Sequence, residues 1–229
     1  MIRSLLAFSA IVIAAGFTAQ DSFSPARTYA AGEKDLYDLS MRLSTGQYEV
    51  AILGKLSHEV KKVHENGEAD IESKTYDITI NVLGQEEKQP PSDPRTVRYT
   101  KFGVPMEKGV AKEKKQPIFM NFLTYRPSVE MKVGETVKID ETLESDGKTK
   151  VKGTSKLLSI NEGVAKIESD LSVQEGNKKP TRVQCIGYFD AKTAKLNRSE
   201  SKLTDVDPGD MPGMPPIQSI TVVIERRSK

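Results

Sequence analysis

Hydrophobic and polar residues alternate along most of the chain. From Tyr37 to Leu43 every second residue is apolar, which is the spacing of a strand with one buried face. The same alternation recurs in five later segments, 137–143, 151–160, 181–190, 196–203 and 219–225. The pattern predicts strands almost throughout, and therefore an all-β protein.

Short turn sequences separate these segments. Asn66-Gly67 and Asp146-Gly147 favour tight hairpins, because both residue types tolerate positive φ. Residues 84–95 are polar and contain three prolines, which predicts a surface connection. Residues 117–125 are apolar without alternation, which predicts either one short helix that begins at Pro117 or a fully buried strand.

A seven-residue phrase occurs twice. Residues 67–73 read GEADIES and residues 163–169 read GVAKIES, each directly after a turn. The flanking strands recur in the same order, so we interpret the chain as two related β repeats, residues 35–126 and 127–229, which can pack as one domain. This predicts about ten to twelve antiparallel meander strands in a curved barrel or sandwich, with at most one short helix near 117–125.

The first nineteen residues have the layout of a secretory signal peptide. Arg3 precedes an apolar run from Leu5 to Phe17, which is short for a membrane span. No cysteine ends the run, so a lipoprotein anchor would have no residue to carry its lipid. We predict a secreted or periplasmic protein without an integral span after removal of residues 1–19, with residues 20–34 as a linker. The alternative is an uncleaved amphiphilic anchor.

Composition and charge narrow the function classes. The formal net charge is +2, with 34 Lys and Arg against 32 Asp and Glu mixed along the chain, which does not form the basic stripe of a nucleic-acid-binding protein. The single cysteine, Cys185, cannot form an internal disulfide, so packing must hold the fold. Its strand-like surroundings predict a small buried side chain.

Catalytic and phosphate-binding motifs are missing from the sequence. The only histidines, His58 and His64, have strand spacing and are predicted to be exposed on the sheet, too far apart to bind one metal. Ser199 and Lys202 match Ser-x-x-Lys, but that chemistry needs a helix and the alternation here indicates a strand. No catalytic residue and no cofactor are predicted.

Met211 and Met214 are the weak candidates for a metal site. They lie in a loop rich in proline, glycine and aspartate, and thioether sulfurs are soft ligands for copper(I). The alternative is a proline-stiffened connection whose methionines cover the rim of the sheet.

Two longer motifs carry a resemblance. Val129 to Thr136 reads VEMKVGET, and Gly187 to Asp190 reads GYFD before a turn. With the exported leader and the long hairpin, they resemble bacterial exported β-rich proteins known only as domains of unknown function. The chain departs from that pattern at Val137, where an aromatic residue is common, and at Ala194, where a glycine is common. The resemblance implies a fold and a compartment, and no catalytic residues.

Together these features predict a non-enzymatic binding or scaffolding protein outside the cytoplasm. Its concave face could hold an apolar ligand, so the expected partner is an apolar small molecule or an envelope protein. A carrier would have an open cavity with an apolar lining, whereas a structural module would fill that volume with side chains. The alternatives are a copper-binding module and an exported enzyme of unrecognised type, in which His58 or His64 would meet Glu72 or Glu168.

Overall fold

The computed structural model describes residues 22–106, 125–143, 148–206 and 216–227, and every regular element within them is a β-strand. The strands are β1 (Ser22–Phe23), β2 (Lys34–Ser44), β3 (Glu49–Val63), β4 (Ala69–Val82), β5 (Gln85–Gln89), β6 (Arg95–Tyr99), β7 (Pro105–Met106), β8 (Met131–Lys132), β9 (Thr136–Thr142), β10 (Thr149–Asn161), β11 (Val164–Glu175), β12 (Thr181–Asp190), β13 (Leu196–Thr204) and β14 (Ser219–Arg226).

Twelve of these strands form one curved antiparallel sheet. The order is β7-β6-β4-β3-β2-β14-β13-β12-β11-β10-β9, with β5 paired to β4, and β1 pairs with β8 in a separate small sheet. The prediction of an all-β fold of antiparallel meander strands is confirmed. The end strands β7 and β9 do not pair with each other within the described ranges, so the sheet is not closed into a barrel.

One face of the sheet carries the core. Five neighbouring strands place one apolar residue each in register along this face, and none of the five is more than 2% exposed: Leu171, Val183, Leu203, Ile220 and Leu43. Residues from β2 to β14 join them in one continuous buried cluster. The alternation read from the sequence therefore separates a buried face from a solvent face.

The repeated phrase occupies the same place in two hairpins. Gly67 and Gly163 have φ values of 83° and 76°, a conformation that favours glycine, at the exits of the β3–β4 and β10–β11 turns. The alanine and isoleucine that follow are buried in both copies. The two hairpins are thus alike in turn and burial, whereas the duplication itself and the division at residue 127 stay predictions.

Strand β4 contains an irregularity close to the point at which its apolar positions change from odd to even residue numbers, after Ile71 and before Tyr76. The register with β3 shifts between Leu53 and Lys55, and Asp77 opposite has a φ of 53°. This β-bulge changes which side chains of β4 face the core.

The segment 84–95 is not only a connection. Residues 85–89 form β5, an edge strand that pairs with β4 in register from Ile78↔Gln89 to Val82↔Gln85. Its side chains are mostly exposed, so no apolar alternation marks it in the sequence. Main-chain hydrogen bonding defines this strand, which is why the surface-connection prediction was wrong there.

Several predictions fall outside the described residues. They include the signal peptide, residues 117–124 of the helix-or-strand segment, and the methionine loop. Residues 22–34, assigned to a linker by the sequence, supply Phe23, Arg27 and Tyr29 to buried positions. Within the described ranges no helix is long and apolar enough to cross a membrane.

Candidate functional site

A cavity of about 300 Å³ lies where the two ends of the sheet approach each other without pairing. One wall comes from the β6–β7 turn and the opposite wall from the end of β9, with the 125–130 segment between them. We call it the seam cavity, lined by Asn66, Glu68, Thr100, Lys101, Phe102, Val104, Arg126, Ser128, Glu141, Thr142 and Leu143. Its volume lies at the lower end of the range for small-molecule sites.

The seam cavity has an apolar wall. Phe102, Val104 and Leu143 line it, and Val104 and Leu143 also belong to the buried core cluster. The cavity is therefore bounded by the core itself. Phe102 is only half-buried, which leaves its ring available to a ligand.

The β6–β7 turn positions Phe102 through the side chain of Thr100. The Thr100 hydroxyl oxygen accepts hydrogen bonds from the backbone N–H groups of Phe102 (3.3 Å) and Val104 (3.2 Å). The backbone N–H of Gly103 also donates to the Thr100 carbonyl at 3.0 Å, with Gly103 at a φ of 78°. This small turn fixes the apolar wall relative to β6.

Arg126 forms the buried polar end of the cavity and is only 2% exposed. Its Nη1 donates to the Ala194 carbonyl at 2.9 Å and its Nη2 to the Lys101 carbonyl at 3.5 Å, while Nε has no hydrogen-bond partner. The guanidinium lies 5.6 Å from the centre of the Phe189 ring. Burial, reinforced by the nearby Arg27 charge and opposed by Tyr29, lowers the pKa of Arg126, but an arginine stays protonated.

The two carboxylates of the cavity already have partners. Glu141 accepts hydrogen bonds from the Tyr125 hydroxyl (2.5 Å) and the Ser128 hydroxyl (3.3 Å). Glu68 lies 4.0 Å from the Arg98 guanidinium. Burial and the bond to Glu141 raise the pKa of Tyr125, so its phenol remains a neutral donor.

Four residues, Arg27, Glu33, Asp35 and Lys195, form a charged cluster close to Arg126. Arg27 Nη2 contacts Asp35 at 3.0 Å and Glu33 at 3.2 Å, and the Lys195 ammonium contacts the same two carboxylates. The backbone N–H of Arg27 donates to the Lys101 carbonyl at 2.7 Å, the acceptor that Arg126 also uses. The charged cluster and the seam cavity are thus joined through Lys101.

His58 is packed between aromatic rings. Its ring centre lies 5.5 Å from that of Tyr37 and 6.4 Å from that of Tyr99, on the same face as the buried Leu56 and Val60. Burial, assisted by the Arg27 charge and opposed by Asp35, lowers the pKa of His58 to about 4. His58 is therefore neutral near pH 7, and the prediction that it is exposed was wrong.

His64 lies on the other side of the sheet. A register shift between Val60 and Lys62 separates the two histidines, and His64 Nε2 lies 3.0 Å from Asp70 Oδ1. Its side chain is 19% exposed, so this histidine too is more buried than predicted. The bulge explains why strand spacing alone did not place the histidines on one face.

The arrangement expected for an enzyme is not assembled from these residues. Glu72 forms an ion pair with Lys61 at 2.9 Å, and Glu168 lies on β11, opposite Lys156 and Ile186 in register. Neither carboxylate has a recorded contact with His58 or His64 in the part of the chain that the structure describes. The residues proposed for general acid and base chemistry therefore do not converge here.

Cys185 belongs to a row of small side chains on the core face. Ser155, Ser169, Cys185 and Ser201 lie in register across β10 to β13, and the hydroxyls of Ser155 and Ser169 are 2.8 Å apart. Cys185 is half-buried, and burial raises the pKa of its thiol. Ser199 lies on strand β13, as the sequence predicts, where its side chain is buried, and Lys202 is exposed.

The metal-site prediction remains open. Met211 and Met214 lie outside the described residues. Within 22–106, 125–143, 148–206 and 216–227, no three His, Cys, Asp or Glu side chains cluster as a metal site would require.

A larger concavity of about 1250 Å³ lies between the ends of β2, β13 and β14. Most of its cations are already in ion pairs, for example Arg198 with Glu225 at 2.7 Å and Lys34 with Glu59 at 3.0 Å. None of the residues that line this concavity belongs to the buried core cluster, whereas Val104 and Leu143 of the seam cavity do. The concavity is therefore the weaker candidate for an apolar ligand.

The β12–β13 turn supplies the carbonyl that holds Arg126. Asp190 Oδ1 accepts hydrogen bonds from the N–H groups of Lys192 (3.1 Å) and Thr193 (2.8 Å), and Ala194 is held at a φ of 53°. We expect Asp190→Ala to lower the free energy of unfolding by about 1 kcal/mol in urea titrations, because the turn loses its acceptor. Asp190→Asn retains the acceptor oxygen and is expected to lose less; equal losses would contradict this role.

Sequence reasoning missed Arg126 and the charged cluster. Arg27 falls in the predicted linker, and Arg126 follows a segment without alternation, so periodicity marks neither as buried. The available signal was an arginine between Tyr125 and Pro127 at the end of an apolar run.

No protein-family model matches this sequence, and no curated protein matches it. Two similar solved structures are a proposed outer membrane lipoprotein-sorting protein domain from Vibrio parahaemolyticus (9% identity, TM-score 0.24) and a DUF1329 family protein from Desulfovibrio piger (10% identity, TM-score 0.27); each match covers 86% of this chain and 85% of the other. A LolA superfamily protein from Nitrosomonas europaea is 8% identical with a TM-score of 0.15, covering 90% and 88%. Likenesses at these scores assign this chain to no family and no function.

Proposed function

We propose that this chain is an exported, non-enzymatic binding protein that holds an apolar ligand in the seam cavity. The observation that carries the proposal is an apolar-walled cavity at the unpaired ends of the sheet, with two of its wall residues, Val104 and Leu143, drawn from the core. The remaining lining residues are polar or charged, and small-molecule sites commonly combine an apolar wall with polar groups that fix the orientation of the ligand. Export rests on the signal-peptide pattern of residues 1–19.

Binding fits the polar groups of this region better than catalysis does. Both oxygens of Glu141 accept hydrogen bonds, and His58 is packed between rings with a pKa well below neutrality. A general base needs a free acceptor of suitable pKa within reach of a substrate. The hydrogen bonds of Glu141 instead hold Tyr125 and Ser128 against strand β9 at the cavity wall.

The test uses N-phenylnaphthylamine, a neutral apolar dye whose fluorescence rises when it leaves water. We expect saturable binding to the full chain, and about tenfold weaker binding to Phe102→Ser, because losing contact with part of a phenyl ring costs roughly 1.4 kcal/mol. Phe102 is half-buried, so its loss leaves the core largely intact.

Leu53→Ser is the matched control. Leu53 is 55% exposed and does not line the seam cavity, so this change also removes an exposed apolar side chain. We expect its dye affinity to equal that of the wild type. The proposal fails if the dye does not bind saturably, or if both substitutions weaken binding alike.

A further inference from the structure

Arg126 is a buried cation without a counter-ion in the described part of the chain. Its hydrogen bonds go to two backbone carbonyls and to the Tyr29 side chain, none of which is a carboxylate, and its Nε has no partner. Burying an unpaired charge is costly, and natural proteins usually pair such charges. The cation therefore needs a compensating anion.

The neighbouring charges do not provide one. Within the described ranges, the charged cluster and Arg126 together contain three cations, Arg27, Lys195 and Arg126, and two carboxylates, Glu33 and Asp35. Both carboxylates are held by Arg27 and Lys195. These five described groups therefore carry a net charge of +1, and Arg126 is the one among them that lines the seam cavity.

The carboxylates inside the cavity do not compensate Arg126 either. Glu141 is bonded to Tyr125 and Ser128, and Glu68 faces Arg98. Lys101 adds a second cation to the lining, with its ammonium 5.2 Å from the centre of the Phe102 ring. A ligand in the cavity would thus meet a guanidinium at the buried end and apolar side chains along the wall.

We infer that the ligand is an anionic amphiphile whose carboxylate or phosphate head group binds the Arg126 guanidinium while its hydrocarbon part contacts Phe102, Val104 and Leu143. The inference rests on the proposed function and adds the chemical class of the ligand. A guanidinium matches both oxyanions, because its planar N–H groups donate two parallel hydrogen bonds. A neutral ligand of the same length would leave the buried charge uncompensated.

The experiment measures competition with the bound dye by four ligands of equal chain length. These are decanoate, decyl phosphate, decanol and decyltrimethylammonium, tested at neutral pH on the wild-type chain. We expect the two anions to bind at least tenfold more tightly than decanol, and the cation to bind most weakly. The tighter of the two anions identifies the head group. Equal affinity for decanol and both anions would overturn the inference.

Arg126→Gln tests the residue itself. We expect about thirtyfold weaker binding of the preferred anion with less than a twofold change for decanol, because only the charged contact is lost. Arg126→Lys keeps the charge and should restore part of the anion preference. Arg198→Gln is the control, since Arg198 is an arginine that does not line the seam cavity.

The two possible failures are distinguishable. If the dye and decanol do not bind the wild type, the proposed function fails. If they bind but Arg126→Gln weakens decanol and the anion equally, the cavity binds apolar ligands and the anionic class is wrong. The wild-type comparison of the four ligands decides the class even if Arg126→Gln does not fold.

Discussion

Asp35→Ala is expected to lower the free energy of unfolding by about 3 to 5 kcal/mol, because it leaves the buried Arg27 and the partly buried Lys195 with a single remaining carboxylate, Glu33. In the folded protein Asp35 contacts Arg27 at 3.0 Å and Lys195 at 2.6 Å, and its side chain is only 5% exposed. When one member of a buried group of charges is removed, the remaining charges keep their desolvation penalty but lose the attraction that compensated it. Urea titration measures the loss directly.

An exposed ion pair provides the control. Asp170 and Arg182 contact each other at 2.7 Å, but both side chains are about half exposed. We expect Asp170→Ala to cost less than about 1 kcal/mol, since water already solvates both charges. If Asp35→Ala and Asp170→Ala lower the free energy of unfolding equally, water solvates the charged cluster as well as it solvates the exposed pair, and the account of the cluster is wrong.

The double variant Arg27→Met/Asp35→Leu separates burial of charge from loss of packing. Replacing both partners by apolar side chains removes the charges and keeps most of the volume. We expect it to be more stable than Asp35→Ala alone. A double variant that is less stable than either single variant would indicate that the ion pair itself is a net source of stability.

The second large effect is a loss of stability in mild acid that depends on His58. The ordinary pKa of 6.5 falls to about 4 in the folded protein. Below pH 6.5 the unfolded chain binds a proton at His58 that the folded chain does not. The free energy of unfolding is therefore unaffected by His58 above pH 6.5, and it falls as the pH is lowered from 6.5 to about 4. The loss across that window amounts to about 3 kcal/mol.

His58→Phe isolates this contribution. The substitution keeps a ring between Tyr37 and Tyr99 and removes the titrating group. We expect the stability of the variant, measured by urea unfolding between pH 7 and pH 4, to decline less steeply than that of the wild type. The other ionisable groups are the same in both proteins, so the difference between the two pH profiles reports on residue 58. Parallel pH profiles would show that His58 does not titrate as described.

The alternating segments of the chain were predictable because each strand buries one face. β2, β12, β13 and β14 begin and end close to where the apolar alternation places them. β5 was not predictable, because backbone pairing alone holds a strand with exposed side chains. The unpaired seam was also hidden, since closure depends on the summed curvature of twelve strands rather than on any local pattern.

The functional residues were harder to find than the fold. His58 was recognised as a titratable residue, but its burial depends on Tyr37 from β2 and Tyr99 from β6, which are distant in sequence. Arg126 meets Ala194 and Lys101 only after folding, and nothing local to residue 126 predicts either contact. Periodicity indicates which face of a strand is buried. The surroundings of a buried charge come from strands and turns that are distant in sequence, so no local pattern predicts them.

Native mass spectrometry of the full-length protein, purified from the cells that naturally produce it, tests the central claim most directly. We predict a population heavier than the bare chain by the mass of one anionic amphiphile, reduced in Phe102→Ser and in Arg126→Gln but retained in Leu53→Ser and Arg198→Gln. A bare chain alone, or a ligand retained equally by all four variants, would contradict binding in the seam cavity.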